Sequence, residues 1–73
     1  MERMPRLIHR DPDILGGTPV FRGTRLPVQT MFDYLSDGLT LDYFLETFPS
    51  VTRDLALGVL FYGQRRIEEE LAA

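Results

Sequence analysis

The 73-residue chain contains no cysteine, no lysine and a single histidine. The absence of cysteine excludes disulfide bridges and thiolate metal sites, and one histidine cannot build a zinc site without several other ligands. We therefore expect no cofactor. Domains below roughly 70–80 residues gain little net stability from their own core and commonly depend on disulfides, a metal or another chain. With the first two excluded, we expect an oligomer or a complex.

The sequence also lacks a long apolar run. A membrane-spanning helix needs about 20 consecutive apolar residues, and no stretch of this chain approaches that length. The N-terminal segment MERMPRLIHRD is basic but has no apolar core of the kind found in secretory signal peptides. The absence of both signals predicts a cytoplasmic protein without membrane contact, folded as a single domain over residues 1–73.

All eight basic residues are arginine, and the formal net charge is −3. Five of these arginines lie within residues 1–28 beside three carboxylates, so this segment is basic and the remainder is acidic. Arginine forms bidentate contacts with carboxylates and phosphates, which favours a binding role. The alternative is that a GC-rich genome produces the same bias without any function.

Residues 16–28, GGTPVFRGTRLPV, combine glycine, proline and β-forming residues. A nucleotide-binding glycine loop needs a preceding strand, a helix directly after it and often a lysine, and this segment has neither that spacing nor the lysine. We predict instead a β-hairpin over about residues 19–28, in which residues 20–22 pair with residues 25–27 around Gly23-Thr24. Since Pro19 and Pro27 lack a ladder donor, both strands are predicted to be short edge strands.

Three helices are predicted after the hairpin, each from apolar residues at helical spacing. The first spans about residues 28–37 and ends before Gly38. The second spans about residues 41–48 behind Thr40, and the third spans about residues 53–71 behind Thr52, because threonine is a good N-cap. The pattern predicts a mainly α domain.

The third helix is apolar around nearly its whole circumference over residues 55–62, LALGVLFY. Two short neighbouring helices cannot cover such a surface. We therefore expect a homodimer whose interface includes Leu57, Leu60 and Phe61. The alternative is that these side chains are buried within one chain.

Groups suited to catalysis are scarce. His9 lies near Asp11 and Asp13 in a turn-rich segment, where aspartate ordinarily forms turns. No general acid–base pair is evident, so we expect the protein not to be an enzyme.

Helix-turn-helix DNA binding is the main alternative chemistry, because the short segment FPSVT joins the second and third helices. A recognition helix presents arginine, lysine, asparagine or glutamine to base edges near its N-terminus. The third helix instead begins TRDLALGVLFY. If DNA is bound, better candidates for phosphate contacts lie in the basic N-terminal segment: Arg3, Arg6 and Arg10, together with Arg22 and Arg25.

Several motifs of the chain resemble a short bacterial family catalogued as domain of unknown function 433. These are the Asp11-Pro12 turn, the Arg-Gly-Thr-Arg core at residues 22–25 between two Pro-Val pairs, the Gly-x-Thr start at Gly38 and the corner from Pro49 to Thr52. The resemblance covers about residues 7–63. One departure is Thr18, where the family usually has lysine.

The resemblance implies a homeodomain-like three-helix domain with a short N-terminal β-hairpin. It also implies an antitoxin that neutralises a PIN-like ribonuclease toxin, with autoregulation of the operon through operator DNA as a further role. The alternative is a stand-alone helix-turn-helix-type DNA-binding regulator.

PIN-like nucleases hold metal ions with clustered carboxylates, so an arginine is a suitable inhibitory group. The candidates are Arg22 and Arg25 on the hairpin and Arg65 and Arg66 on the third helix. In a purely structural role, Arg22 and Arg25 would brace the hairpin against Asp11, Asp13 or helix carbonyls.

Overall fold

The computed structural model describes residues 6–72, so Arg3 lies outside the described residues. Strand β1 (Ile8–His9) is followed by a turn of 3-10 helix (Leu15–Gly17) and strand β2 (Val20–Phe21). Three helices complete the domain: α1 (Val28–Ser36), α2 (Leu41–Thr47) and α3 (Arg53–Ala72). The predicted fold class, a mainly α domain of three helices with a two-stranded antiparallel element near the N-terminus, is confirmed.

Strand β2 pairs with a segment that the sequence analysis did not assign to the sheet. Ile8 lies opposite Phe21 and His9 lies opposite Val20 in an antiparallel ladder with β1. Residues 26–27 flank β2 on its other side, and both β2 side chains are fully buried. The prediction that β2 is an edge strand is therefore wrong, because a distant segment supplies the second neighbour.

The predicted pairing of residues 20–22 with residues 25–27 is reduced to one bridge, between Val20 and Pro27. Its two hydrogen bonds run from Phe21 N to the Leu26 carbonyl (3.0 Å) and from Val28 N to the Pro19 carbonyl (3.1 Å). Neither proline has an N–H to donate. The ladder consequently stops at the bridge, and the chain enters α1 directly after it.

The turn between Phe21 and Leu26 depends on Gly23 and Thr24. Gly23 has φ +81°, a left-handed conformation that glycine adopts without a steric penalty. The Thr24 hydroxyl donates to the Phe21 carbonyl (2.8 Å) and accepts from Leu26 N (3.0 Å). These two residues therefore fix the turn and leave the flanking Arg22 and Arg25 exposed.

The helix ends use local hydrogen bonds of the expected kinds. The Thr40 hydroxyl accepts from Tyr43 N (3.0 Å) at the start of α2, and the Thr52 hydroxyl accepts from Leu55 N (3.1 Å) at the start of α3. After α1, Gly38 has φ +87°, the usual conformation of a glycine that ends a helix. Only four residues therefore separate α1 from α2.

The core draws buried side chains from β2, all three helices and the turn before α3. Phe21 and Phe44 lie with ring centroids 6.1 Å apart, and Phe48 packs 5.3 Å from Phe44. Aromatic pairs at such distances contribute about 0.5–1.5 kcal/mol beyond the burial of their area. The cluster contains Phe21, Met31, Phe44, Val51, Ala56 and Val59. Helix α3 supplies the buried Ala56 and Val59, and its partly buried Leu55 and Leu60 pack against the same cluster.

We expect Gly23→Ala to lower the free energy of unfolding by about 1 kcal/mol, because alanine at a positive φ is strained. Gly63→Ala is the matched control. Gly63 lies inside α3, with nothing within 4 Å of where a Cβ would be. That substitution should raise stability by up to about 1 kcal/mol through helix propensity. Urea unfolding at one protein concentration measures both effects, and a shift of the same sign in both variants would contradict this account.

Candidate functional site

An open apolar groove of about 690 Å³ lies between the N-terminal segment, α1 and α3; we call it groove A. Phe32 of α1 is 38% exposed at its wall. The other lining residues are Ile8, Arg10, Thr18, Pro19, Val28, Gln29 and Tyr62. A concave apolar surface with a few polar groups at its edge is typical of a binding site.

A second groove of about 320 Å³, groove B, lies beside the first on the surface of α3. Arg6 and Arg65 line it together with Phe61, which is 59% exposed. Leu7 packs closely against Gly58 here, since a Cβ at position 58 would lie 2.9 Å from Leu7 Cδ2. Groove B therefore combines an exposed aromatic ring with two cationic side chains.

Tyr62 lines both grooves, so they form one continuous surface, which we call the Tyr62 surface. Its α3 residues are Gly58, Phe61, Tyr62 and Arg65, whose spacing places them along one side of the helix. Sequence reasoning identified Phe61 and Arg65 separately but missed Tyr62. It also missed the contribution of residues 6–8, because their contact with α3 has no local signal.

The guanidinium groups of Arg22 and Arg25 make no hydrogen bond or ion pair with any residue from 6 to 72. The proposed bracing against Asp11 or Asp13 is therefore absent from the described part of the chain. Asp11 Oδ1 instead accepts from Asp13 N (2.8 Å), and Arg10 Nε donates to the Gly17 carbonyl (2.9 Å). Arg10, considered for phosphate contacts, thus holds the loop from residue 11 to residue 18.

The exposed turn that carries Arg22 and Arg25 is hydrogen-bonded to the backbone of Leu7, a residue of groove B. Arg22 N donates to the Leu7 carbonyl (2.9 Å), and Leu7 lines groove B. That bond fixes the backbone of Arg22, and the Arg22 side chain is exposed. Arg65 lines groove B itself, whereas Arg22 is connected to the groove only through the backbone of Leu7.

The two arginines of the α3 tail differ in their surroundings. Arg65 lines groove B, whereas the Arg66 guanidinium lies 3.6 Å from the Glu70 carboxylate, one turn further along the helix. The neighbouring Tyr62 hydroxyl and then the Glu70 carboxylate raise the pKa of Arg66 above its ordinary value. Arg66 therefore stays charged but already has an anionic neighbour.

The α2–α3 corner, which would present a recognition helix to DNA, offers little positive charge. Arg53, in the first turn of α3, forms an ion pair with Asp42 in the first turn of α2. Glu46 and Asp54 are exposed nearby. The side chain best suited to reading bases is thus engaged by a carboxylate. Arg6 and Arg10, the described candidates for phosphate contacts, lie in the N-terminal segment instead.

The three residues predicted for a dimer interface have different environments. Leu60 is partly buried and packs against the core, Leu57 is partly buried, and Phe61 is exposed along groove B. Further along α3, Ile67 is 60% exposed and Leu71 is 81% exposed. The exposed apolar surface of the helix thus extends well beyond the predicted segment.

Leu15 is a strained residue that the sequence did not reveal. Its φ of +50° is in the left-handed region, which costs a residue with a Cβ about 1–2 kcal/mol, and its side chain is 60% exposed. Nearby hydrogen bonds hold the loop, including one from the Thr18 hydroxyl to the Leu15 carbonyl (2.9 Å). Strain of this kind is often retained at functional sites.

Within residues 6–72, no group of three or more histidine, aspartate or glutamate side chains is placed to hold a metal ion. No helix in the same range is long and apolar enough to cross a membrane.

A family model described as "Protein of unknown function (DUF433)" matches residues 8–62. The chain belongs to the DUF433 family. A crystal structure of a DUF433 member protein from Anabaena variabilis ATCC 29413 superposes with a TM-score of 0.71 at 26% identity, covering 96% of this chain and 72% of that one. An uncharacterized protein, y4eO, from Sinorhizobium fredii (strain NBRC 101917 / NGR234) is 44% identical over 45 residues. That match covers 62% of this chain but spans only 20% of the curated relative.

The DUF433 match includes β1, β2, α1, α2 and α3 as far as Tyr62. It therefore contains groove A completely, and of groove B it contains Gly58, Phe61 and Tyr62. Arg6, Leu7 and Arg65 lie outside the matched range, as does the α3 tail from residue 63 onwards. Charge on groove B is thus supplied mainly by residues beyond the matched range.

For this DUF433 protein we expect Leu15→Gly to raise the free energy of unfolding by about 1 kcal/mol, because glycine relieves the left-handed strain and little buried area is lost. Ile14→Gly is the matched control. Ile14 has φ −114° and is partly buried, so its replacement should be destabilising. Thermal and urea unfolding measure both changes. If Leu15→Gly is less stable than wild type, the packing of the Leu15 side chain contributes more free energy than its left-handed backbone costs.

Proposed function

We propose that this DUF433 protein is an antitoxin-like interaction module that binds and neutralises a PIN-like ribonuclease through the Tyr62 surface. One observation carries the proposal. The surface joins apolar grooves and the exposed Phe61 ring to Arg65, whose guanidinium has no anionic partner among residues 6–72. Phenylalanine and arginine are both enriched at protein interfaces, and arginine is among the residues whose truncation most often weakens binding.

The chemistry of this surface fits an acidic partner. A PIN-like nuclease gathers carboxylates around its metal ions, and a guanidinium can bind such a carboxylate through two parallel hydrogen bonds. Arg65 and Arg6 line groove B, and the backbone of the exposed Arg22 donates a hydrogen bond to Leu7 of the same groove. A cation delivered from this side would compete with metal ions or with the RNA phosphates. Groove A would meanwhile bury apolar side chains of the nuclease.

The arginines are not equivalent in this proposal. Arg65 belongs to a helix and Arg22 to a turn fixed by hydrogen bonds, so docking either side chain orders little additional backbone. Arg25 lies in the same turn and is exposed. Arg66 is the poorest candidate, because an incoming carboxylate would have to compete with Glu70.

The test uses purified nuclease from the reading frame adjacent to this gene, with cleavage of a labelled RNA as the readout. We expect the wild-type chain to inhibit cleavage stoichiometrically. Phe61→Ala, Arg65→Ala and Arg22→Ala should each raise the half-inhibitory concentration by about 30-fold, the effect of losing roughly 2 kcal/mol at an interface centre. All three residues are exposed, so circular dichroism should show an unchanged fold.

Arg53→Ala is the matched control, because it removes the same charge from the same helix at a residue that is paired with Asp42 and lines neither groove. It should inhibit within about threefold of wild type, since exposed ion pairs contribute little. If the chain does not bind the neighbouring nuclease, or if the Phe61 and Arg65 variants inhibit as wild type does, the proposal is wrong.

DNA binding is the competing function, and it is measured with the same set of variants. Binding to a labelled duplex from the upstream region distinguishes non-specific from specific binding by its salt dependence and by which arginine it requires. Weak binding of the duplex that is lost as the salt concentration rises, and that Arg6→Ala reduces, would be non-specific phosphate binding. Sequence-specific retention lost in Arg53→Ala would instead identify α3 as a recognition helix and favour the regulator.

A further inference from the structure

Helix α3 is much longer than the helices that pack beside it. Its 20 residues extend about 30 Å, whereas the nine residues of α1 and the seven of α2 extend about 14 Å and 11 Å. Every residue from 64 to 72 is exposed. An isolated helical segment of this length is marginal in water, since most helical stability in proteins comes from packing of an apolar face.

The exposed part of α3 continues an apolar stripe that begins within the domain. The stripe, which we call the α3 seam, alternates spacings of three and four residues, the a/d pattern of a two-stranded coiled coil. Its residues are Leu57, Leu60, Gln64, Ile67 and Leu71. Gly58, Tyr62 and Arg65 lie on a different side of α3, so the seam meets the Tyr62 surface only at Phe61, which is one turn from Leu57.

We propose that a second copy of this chain docks along the α3 seam in antiparallel orientation. Leu60, Gln64, Ile67 and Leu71 are separated by four, three and four residues, a spacing that is the same in either direction. A two-fold axis between residues 65 and 66 places Leu60 of each copy against Leu71 of the other, and Gln64 of each against Ile67 of the other. The interface is then isologous, as in most homodimers. The exposed tail of each copy covers the partly buried Leu60 of its partner.

The charges of the tail select the antiparallel orientation. Glu68, Glu69 and Glu70 lie near the negative end of the helix dipole, and no basic residue occupies the last turn. Parallel pairing would bring both sets of carboxylates and both negative helix ends together. Antiparallel pairing instead places the carboxylates and the negative helix end of each copy far from those of the other. The same sequence thus disfavours one orientation and favours the other.

Sedimentation velocity of the isolated chain, from about 1 µM to about 200 µM, tests the pairing directly. We expect a reversible monomer–dimer equilibrium, because two Leu60–Leu71 layers and two Gln64–Ile67 layers bury an area at the lower end of specific interfaces. Ile67→Glu and Leu71→Glu should weaken dimerisation by at least tenfold, since each buries a charge in the seam. Both residues are largely exposed, so the monomer fold should be retained.

Leu39→Glu is the matched control, because Leu39 is an apolar residue, 41% exposed, in the turn before α2 and away from α3. It should dimerise as wild type does. Gln64→Leu should tighten the dimer about tenfold or more by converting a polar layer into an apolar one. A wild-type monomer at the highest concentration, or an Ile67→Glu variant that dimerises normally, overturns the proposal.

Cysteine cross-linking tests the orientation, and the absence of native cysteine makes each introduced thiol unique. A disulfide requires Cα atoms within about 7 Å. In a glutathione buffer, Leu60→Cys and Leu71→Cys chains should form disulfide-linked dimers when mixed, but not when each is oxidised alone. Efficient cross-linking of Leu71→Cys with itself would indicate parallel helices and overturn the antiparallel assignment. These measurements need no nuclease, so their outcome is independent of the proposed inhibitory role.

Discussion

Strand β2 is held between two neighbours, and this packing fixes the position of the other elements. Val20 and Phe21 are fully buried between β1 on one side and residues 26–27 on the other. The Phe21 ring packs against Phe44 of α2, and the ladder with β1 holds the N-terminal segment against α3. Since grooves A and B both have walls in that segment, neither would exist if β2 paired only with the residues that follow it.

Three sides of helix α3 carry different sets of residues. One side, with Ala56 and Val59, completes the core. A second side, with Phe61, Tyr62 and Arg65, forms the grooves. The third side carries the apolar seam that continues into the exposed tail. If both proposed contacts form, this division accounts for the apolar composition of residues 55–62, because a helix with three contact surfaces needs apolar residues in every direction.

The sequence was most informative where structure is local. Helical spacing and the caps at Thr40 and Thr52 depend on residues a few positions apart, and the capping hydrogen bonds are present as expected. The partner of β2 could not be predicted in the same way, because Ile8 and His9 form too short a strand to leave an alternating pattern. The left-handed Leu15 had no signal either, since leucine is an unusual choice for that conformation. Groove B was missed because it joins residues that are some fifty positions apart in the chain.

The short connections described above have a consequence for the speed of folding. The two strands pair across a loop of ten residues, and four residues join α1 to α2. Closing such small loops costs little conformational entropy, and chains dominated by contacts between near neighbours in sequence fold within microseconds to milliseconds. The contact of α3 with the N-terminal segment joins Leu7 to Gly58, so it closes a longer loop than the strand pairing does and loses more conformational entropy.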